Sequence, residues 1–209
     1  QGGEFHGDAP SIGSFKKVVG RPSFWIMAIL FSLGISGTMG IFTMLPLYLI
    51  TDHGIDRNWA NTLISISRMS GLVIVFAGGW AVDRYGTRRV LQAVMLLNGG
   101  AILGLAYTSG SWLLMFVFVQ PTLAVCFFPA GLAALSRVSP PNLRNVAVAL
   151  VSPIGFLVGA GLVPTAIGIS GDLMSFSFGI GVVGALMVLG VFLPAFVKYY
   201  DQTPAGKLA

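Results

Sequence analysis

The sequence predicts an all-α membrane protein whose six spanning helices form one half-bundle. Three observations predict it. Six segments are apolar over about 20 residues, the length that a helix needs to cross a bilayer core. Only 9% of the residues are charged, against roughly 25% in soluble domains. No segment alternates with the period of two expected of a membrane barrel strand. A mean hydropathy of +0.85 points the same way.

Residues 1–22 are polar and basic and read as linker, either a central cytoplasmic loop or a tag remnant. The chain starts at Gln1, with no basic start and short apolar stretch of a secretory signal. The spans are placed at 23–50, 59–82, 90–108, 112–136, 145–168 and 175–197, so 23–197 is the transmembrane domain and 198–209 a tail. Loops this short force successive spans to run antiparallel. Both termini then share one side with Lys16, Lys17, Arg21, Arg84, Arg88, Arg89, Arg137, Arg144, Lys198 and Lys207. Only Arg57 lies opposite. Basic loops collect on the cytoplasmic side, so both termini are expected in the cytoplasm. The net charge of +5 is thus a membrane signal and not a nucleic-acid one.

Many of the 28 glycines lie inside spans. In lipid, small residues let helices approach closely. Pro46, Pro121, Pro129, Pro153, Pro164 and Pro194 lie in or near spans, where each removes a helix hydrogen bond and permits a bend. Bends suit a rocking protein and are equally ordinary in any membrane bundle.

The stretch Gly79-Trp80-Ala81-Val82-Asp83-Arg84-Tyr85-Gly86-Thr87-Arg88-Arg89-Val90-Leu91 closes the second span. A glycine ends the apolar run, an acid stands at the membrane edge, and a second glycine turns the chain into basic residues. Asp83 can accept hydrogen bonds from a neighbouring helix start, where the dipole favours an anion. The arginines can pair with it or with headgroups. The plain alternative is a positive-inside anchor.

This stretch resembles the signature loop of the major facilitator superfamily, through Gly79, Asp83, Arg84, Gly86, Arg88 and Leu91; Thr87 replaces a usual basic residue. The resemblance implies a half-bundle of two inverted three-helix repeats and secondary transport of a small solute by alternating access. It implies that Gly79, Asp83, Arg84, Gly86, Arg88 and Arg89 form a gate favouring the outward-facing state. Arg137 to Leu150, with Pro140, Pro141 and Arg144, resembles the loop between the fourth and fifth helices of a half. Helix 4 lacks an Arg-x-x-x-Gly signature, and Phe15 to Trp25 resembles the basic loop entering the seventh helix, so the resemblance is to a C-terminal half. A faint internal echo pairs Gly79-x-x-x-Asp83 with Gly168-x-x-x-Asp172.

Arg68 lies nine residues beyond Trp59, roughly 14 Å into the bilayer at about 1.5 Å per residue. A charge there costs several kcal/mol unless it faces water, a partner or an anion. Asn61, Ser65 and Arg68 share one helix face and read as cavity lining. No Asp or Glu lies within the predicted spans. Arg68 is therefore expected to bind an anionic group, such as a carboxylate, as arginines on the second helix of the C-terminal half do in the family's monocarboxylate transporters. Pairing with an acid from another half, or snorkelling, stays open. Thr38, Phe42, Tyr48, Ser152 and Phe178 are further pocket candidates.

No enzyme, cofactor or metal is expected: His6 and His53 are isolated, Cys126 is alone in an apolar run, and no P-loop or nucleophile set is present. The expected partners are a small-molecule substrate, the lipid bilayer, and a second six-helix half or another copy of this chain. The expected location is a bacterial cytoplasmic membrane. A non-transporting scaffold, assembly factor or receptor on the same fold is the alternative function, and a drug or neutral metabolite the alternative substrate, because fold alone does not decide activity.

Overall fold

The computed structural model describes residues 12–140 and 143–199. Among the described residues six helices are long and apolar enough to cross a membrane: α2 (Pro22–Thr51), α3 (Arg57–Tyr85), α4 (Thr87–Tyr107), α5 (Gly110–Val138), α6 (Arg144–Leu173) and α7 (Phe176–Phe196). They match the six predicted spans, with most ends running a few residues further, while α7 and the C-terminal end of α4 stop one residue short. The chain is a multi-pass integral membrane protein of the half-bundle class. Large apolar side chains such as Val73, Leu157 and Leu173 are well exposed, an arrangement that lipid accommodates and water does not.

One element differs from the sequence reading. Within the segment read as linker, Ile12–Val19 form a short helix, α1. Val18 is buried, while Lys16 and Lys17 are exposed. Trp25 Nε1 donates to the Val19 carbonyl at 3.0 Å. One inward apolar residue and one indole bond dock a segment that composition alone marks as loop. Residues 1–11, Pro141 with Asn142, and residues 200–209, which include Lys207, lie outside the described residues.

The ends follow ordinary capping chemistry. Pro22 opens α2, where its missing N–H costs nothing. Asp56 caps α3 by accepting from the Asn58 and Trp59 amides at 3.0 and 3.1 Å. Gly86 joins α3 to α4 at φ +85° and ψ 149°, a conformation open essentially to glycine alone.

Among the most extensive helix contacts are α4 against α7, α3 against α5, and α2 against α6. Exchanging the first three spans with the last three leaves this pairing unchanged. Because successive spans alternate direction, that exchange also inverts each one, so the pairing is what inverted repeats produce. Asp83 and Asp172 are both exposed near the ends of α3 and α6, the second spans of the two triplets.

Two helices depart from α geometry. In α2, residues Ser36–Gly40 form a π segment, and the Ile41 amide bonds the Ser36 carbonyl, five residues back. In α6, Leu157–Leu162 do the same, with Val163 bonded to Val158. The two segments pack against each other. A Cβ on Gly40 would lie 2.7 Å from the Gly159 carbonyl oxygen, and one on Gly159 would lie 2.7 Å from Ser32 O and from Ser36 N. The crossing is backbone against backbone and admits no side chain at either glycine.

Candidate functional site: an arginine-lined cavity between three helices

A cavity of about 750 Å³ opens between α2, α3 and α5, within the range of roughly 300–1,000 Å³ typical of small-molecule sites. Its lining is mostly apolar: Met69, Val75 and Phe76 from α3, with Pro121, Ala124 and Val125 from α5. Thr38, Ser65 and Arg68 supply its polar side chains, and Arg68 is the one charged residue in the lining. Eleven residues into the 29-residue α3, Arg68 sits roughly 17 Å along the helix at about 1.5 Å per residue.

Two contacts and one unpaired donor define the guanidinium. Its Nη2 donates to the Thr38 carbonyl at 3.0 Å. Its Cζ lies 3.5 Å from the centroid of the Phe42 ring, a stacked cation–π geometry that is worth more where water is scarce. Its Nε is buried with no hydrogen-bond partner among the described residues. A buried donor left unpaired costs about 1–3 kcal/mol. The site is thus a positive group held from one side by a ring and a carbonyl, with donor capacity left over.

The sequence-predicted residues divide. Thr38, Phe42, Ser65 and Arg68 come together here. Asn61 is exposed one turn away on the same helix, and Ser65 Oγ returns its proton to the Asn61 carbonyl at 2.8 Å. Tyr48 is placed elsewhere. It is fully buried, its hydroxyl donates to Leu105 O at 2.6 Å, and His53 Nε2 stands 2.7 Å from the same hydroxyl. The carbonyl accepts only, so the Tyr48 oxygen accepts from His53 in turn. Ser152 on α6 is half-buried, Phe178 on α7 is exposed, and neither lines this cavity.

At the α3–α4 turn, Asp83, Arg84 and Arg89 are exposed, and Gly79 is half-buried. Arg88 makes the inter-helix contact instead: its Nη2 donates to Val197 O, just past α7, at 3.0 Å, and its guanidinium lies 5.7 Å from the Tyr199 ring. Burial pushes the Tyr199 phenol above its ordinary pKa, while Arg88 and Arg137 pull it down.

Sequence reasoning missed the second layer. Asn98 and Gln120 are fully buried amides joined at 3.2 Å. Ser70 and Thr122 link α3 to α5 through their hydroxyls at 2.6 Å. A lone amide inside an otherwise apolar span was the available signal, since it needs a partner there. Among the described residues no cluster of His, Cys, Asp and Glu is suited to a metal.

Comparison with known proteins agrees with this architecture. The chain is 25% identical over 171 residues to a Na(+), Li(+), K(+)/H(+) antiporter of Planococcus maritimus, an alignment covering 78% of this chain and 38% of that protein. It is 27% identical over 190 residues to the inner membrane metabolite transport protein YdjE of Escherichia coli (strain K12), covering 86% of this chain and 40% of that protein. The chain therefore spans about two fifths of the length of these relatives. The sequence profile of the Major Facilitator Superfamily matches residues 59–208. That covers well over half of a 209-residue chain, and the chain belongs to the Major Facilitator Superfamily.

Proposed function

We propose that this chain is the C-terminal half of a secondary transporter, and that its cavity carries a small organic anion across a cytoplasmic membrane. The observation that carries the reading is Arg68: a cation deep in the bilayer, with no carboxylate beside it in the cavity lining. Placing such a charge costs about 3 kcal/mol on insertion scales, and an anion arriving in the cavity would offset that cost. The guanidinium in an otherwise apolar lining suits a carboxylate on a small hydrophobic or mixed body. The names of both relatives support solute transport. The name of the metabolite transporter fits an anionic cargo more readily than that of the cation antiporter does, because the lining supplies no acid.

In this reading a second six-helix half, or another copy of this chain, faces the cavity and completes it. The two bodies then rock about a midplane site. The basic end of the bundle, with Arg84, Arg88, Arg89, Arg137 and Arg144, faces the cytoplasm. Gly79, Asp83, Arg84, Gly86, Arg88 and Arg89 serve as the gate there, with Asp83 left exposed for a contact from the facing half.

The test is uptake of labelled benzoate and lactate by the whole transporter in proteoliposomes. Arg68→Gln is expected to weaken apparent affinity about tenfold or more, since charge-assisted hydrogen bonds contribute about 1.5–3 kcal/mol. Anion uptake with unchanged affinity in Arg68→Gln would overturn the reading.

A further inference from the structure

Among the described residues Asn98 and Gln120 are the only amide side chains fully buried between the spans. A buried amide is costly unless its groups are bonded. Gln120 Nε2 spends both hydrogens on named acceptors, Gly37 O at 2.7 Å and Asn98 Oδ1 at 3.2 Å. Asn98 Nδ2 continues the chain to Met187 Sδ at 3.3 Å. The network thus runs from α7 through α4 and α5, and it ends on the backbone of α2.

Its endpoint is specific. In an α-helix the Ile41 amide would bond Gly37 O. Here it bonds Ser36 O instead, so Gly37 O has lost its usual donor and Gln120 replaces it. The next carbonyl along the chain is Thr38 O, the acceptor of Arg68. Two adjacent carbonyls of the π segment are therefore held by two side chains from different helices, Gln120 on α5 and Arg68 on α3. The packing is also specific at Gly37, where a Cβ would lie 2.7 Å from Asn98 Nδ2 and 2.9 Å from Met187 Cε. Short π segments often mark functional sites.

We propose that Gln120 is a positioning residue for Arg68: by bonding Gly37 O it holds α2 in the π register that presents Thr38 O to the guanidinium. If the Gly37 carbonyl returns to Ile41, the peptide unit that carries it rotates, and Thr38 O turns with the backbone. Arg68 then loses its acceptor and its seat on Phe42. Gln120 does not line the cavity; it acts on the site through α2. This inference rests on the reading of Arg68 as the anion-binding group, and its test is built to separate the two.

The experiment uses the whole transporter in nanodiscs and Gln120→Met, which keeps length and volume and removes both donors. The first readout needs no substrate: the rate at which phenylglyoxal modifies Arg68, followed by peptide mapping. Loss of one such bond is expected to raise that rate about three- to tenfold, with Arg57 and Arg144 unchanged as internal controls. The second readout is benzoate transport, where Gln120→Met raises the half-saturating concentration more than it lowers the maximal rate. In an Arg68→Gln background it adds nothing further, since the two act as one unit. Asn98→Ala, which removes the support behind Gln120, is expected to move both readouts in the same direction by a smaller factor, and serves if Gln120→Met does not fold. An unchanged Arg68 modification rate in both variants overturns the proposal, as does an effect on benzoate affinity that simply adds to that of Arg68→Gln. If Arg68→Gln leaves benzoate affinity untouched, the anion reading falls, while the phenylglyoxal rates still decide the role of Gln120.

Discussion

α2 and α6 are the same length, 30 residues, and each carries a glycine-containing π segment near its middle. They meet at Gly40 and Gly159. Yet two thirds of the most apolar stretch of α2 is buried inside the bundle, against 28% for α6. The displaced carbonyl of α2, Gly37 O, receives a strong donor from Gln120. The corresponding carbonyl of α6, Gly159 O, faces the Cα of Gly40, which offers at most a weak C–H contact. The same backbone irregularity is therefore clamped in one helix and merely seated in the other. A π segment held by side chains keeps one register. One held by close packing depends on the neighbouring helix for its shape, and changes with it.

Substitutions can break or sharpen that contrast. The largest effect is expected from Gly159→Val. A Cβ there meets backbone atoms on α2 at 2.7 Å, and backbone cannot yield as a flexible side chain can. A loss of about 3 kcal/mol or more is expected, read as a fall in thermal unfolding temperature and a loss of monodisperse protein. Near-native stability would mean that α2 and α6 separate easily at the crossing. Tyr48→Phe comes next. It removes the bond from α2 to Leu105 O and leaves His53 without its partner, for about 1 kcal/mol. Since Tyr48 stands apart from the cavity, anion affinity is expected to stay within twofold, and a larger change would bring Tyr48 back to the transport path. Gly161→Ala should be smallest. Nothing lies within 4 Å of a Cβ on that exposed residue of the α6 π segment. The expected change is within about 0.5 kcal/mol. A large loss would show that this π segment is fixed as tightly as its partner.

Much of this fold was legible because the bilayer imposes simple rules. Length and apolarity located all six spans, and the clustering of arginines near Gly86 marked a turn that φ +85° makes dependent on glycine. The cavity was half legible. Arg68, Ser65, Thr38 and Phe42 announce themselves as polar or aromatic groups at helical spacing. Tyr48 looked equivalent from sequence, but its hydroxyl found a carbonyl on a neighbouring helix, and tertiary partners have no signature along one strand of sequence. The π segments were invisible for a related reason. A helix that is apolar all round has no stripe whose drift would betray a fifth-residue bond. Helix α1 was missed because a single buried Val18 is too little pattern to outweigh a polar composition.

The N-terminus of α7 is held by an acid from the far side of the sequence. Asp52, just past α2, accepts from the Ser177 amide at 2.9 Å and from its hydroxyl at 3.0 Å, across 125 residues of chain. At the opposite end Arg88 reaches Val197 across 109 residues. During synthesis neither bond can form until α7 has emerged. Until then Asp52 and Arg88 stand without these partners at opposite ends of the bundle. Helix α7 is thus the stave that ties the half-bundle at both rims, so a ribosome that stops short of Ser177 leaves it open at both ends.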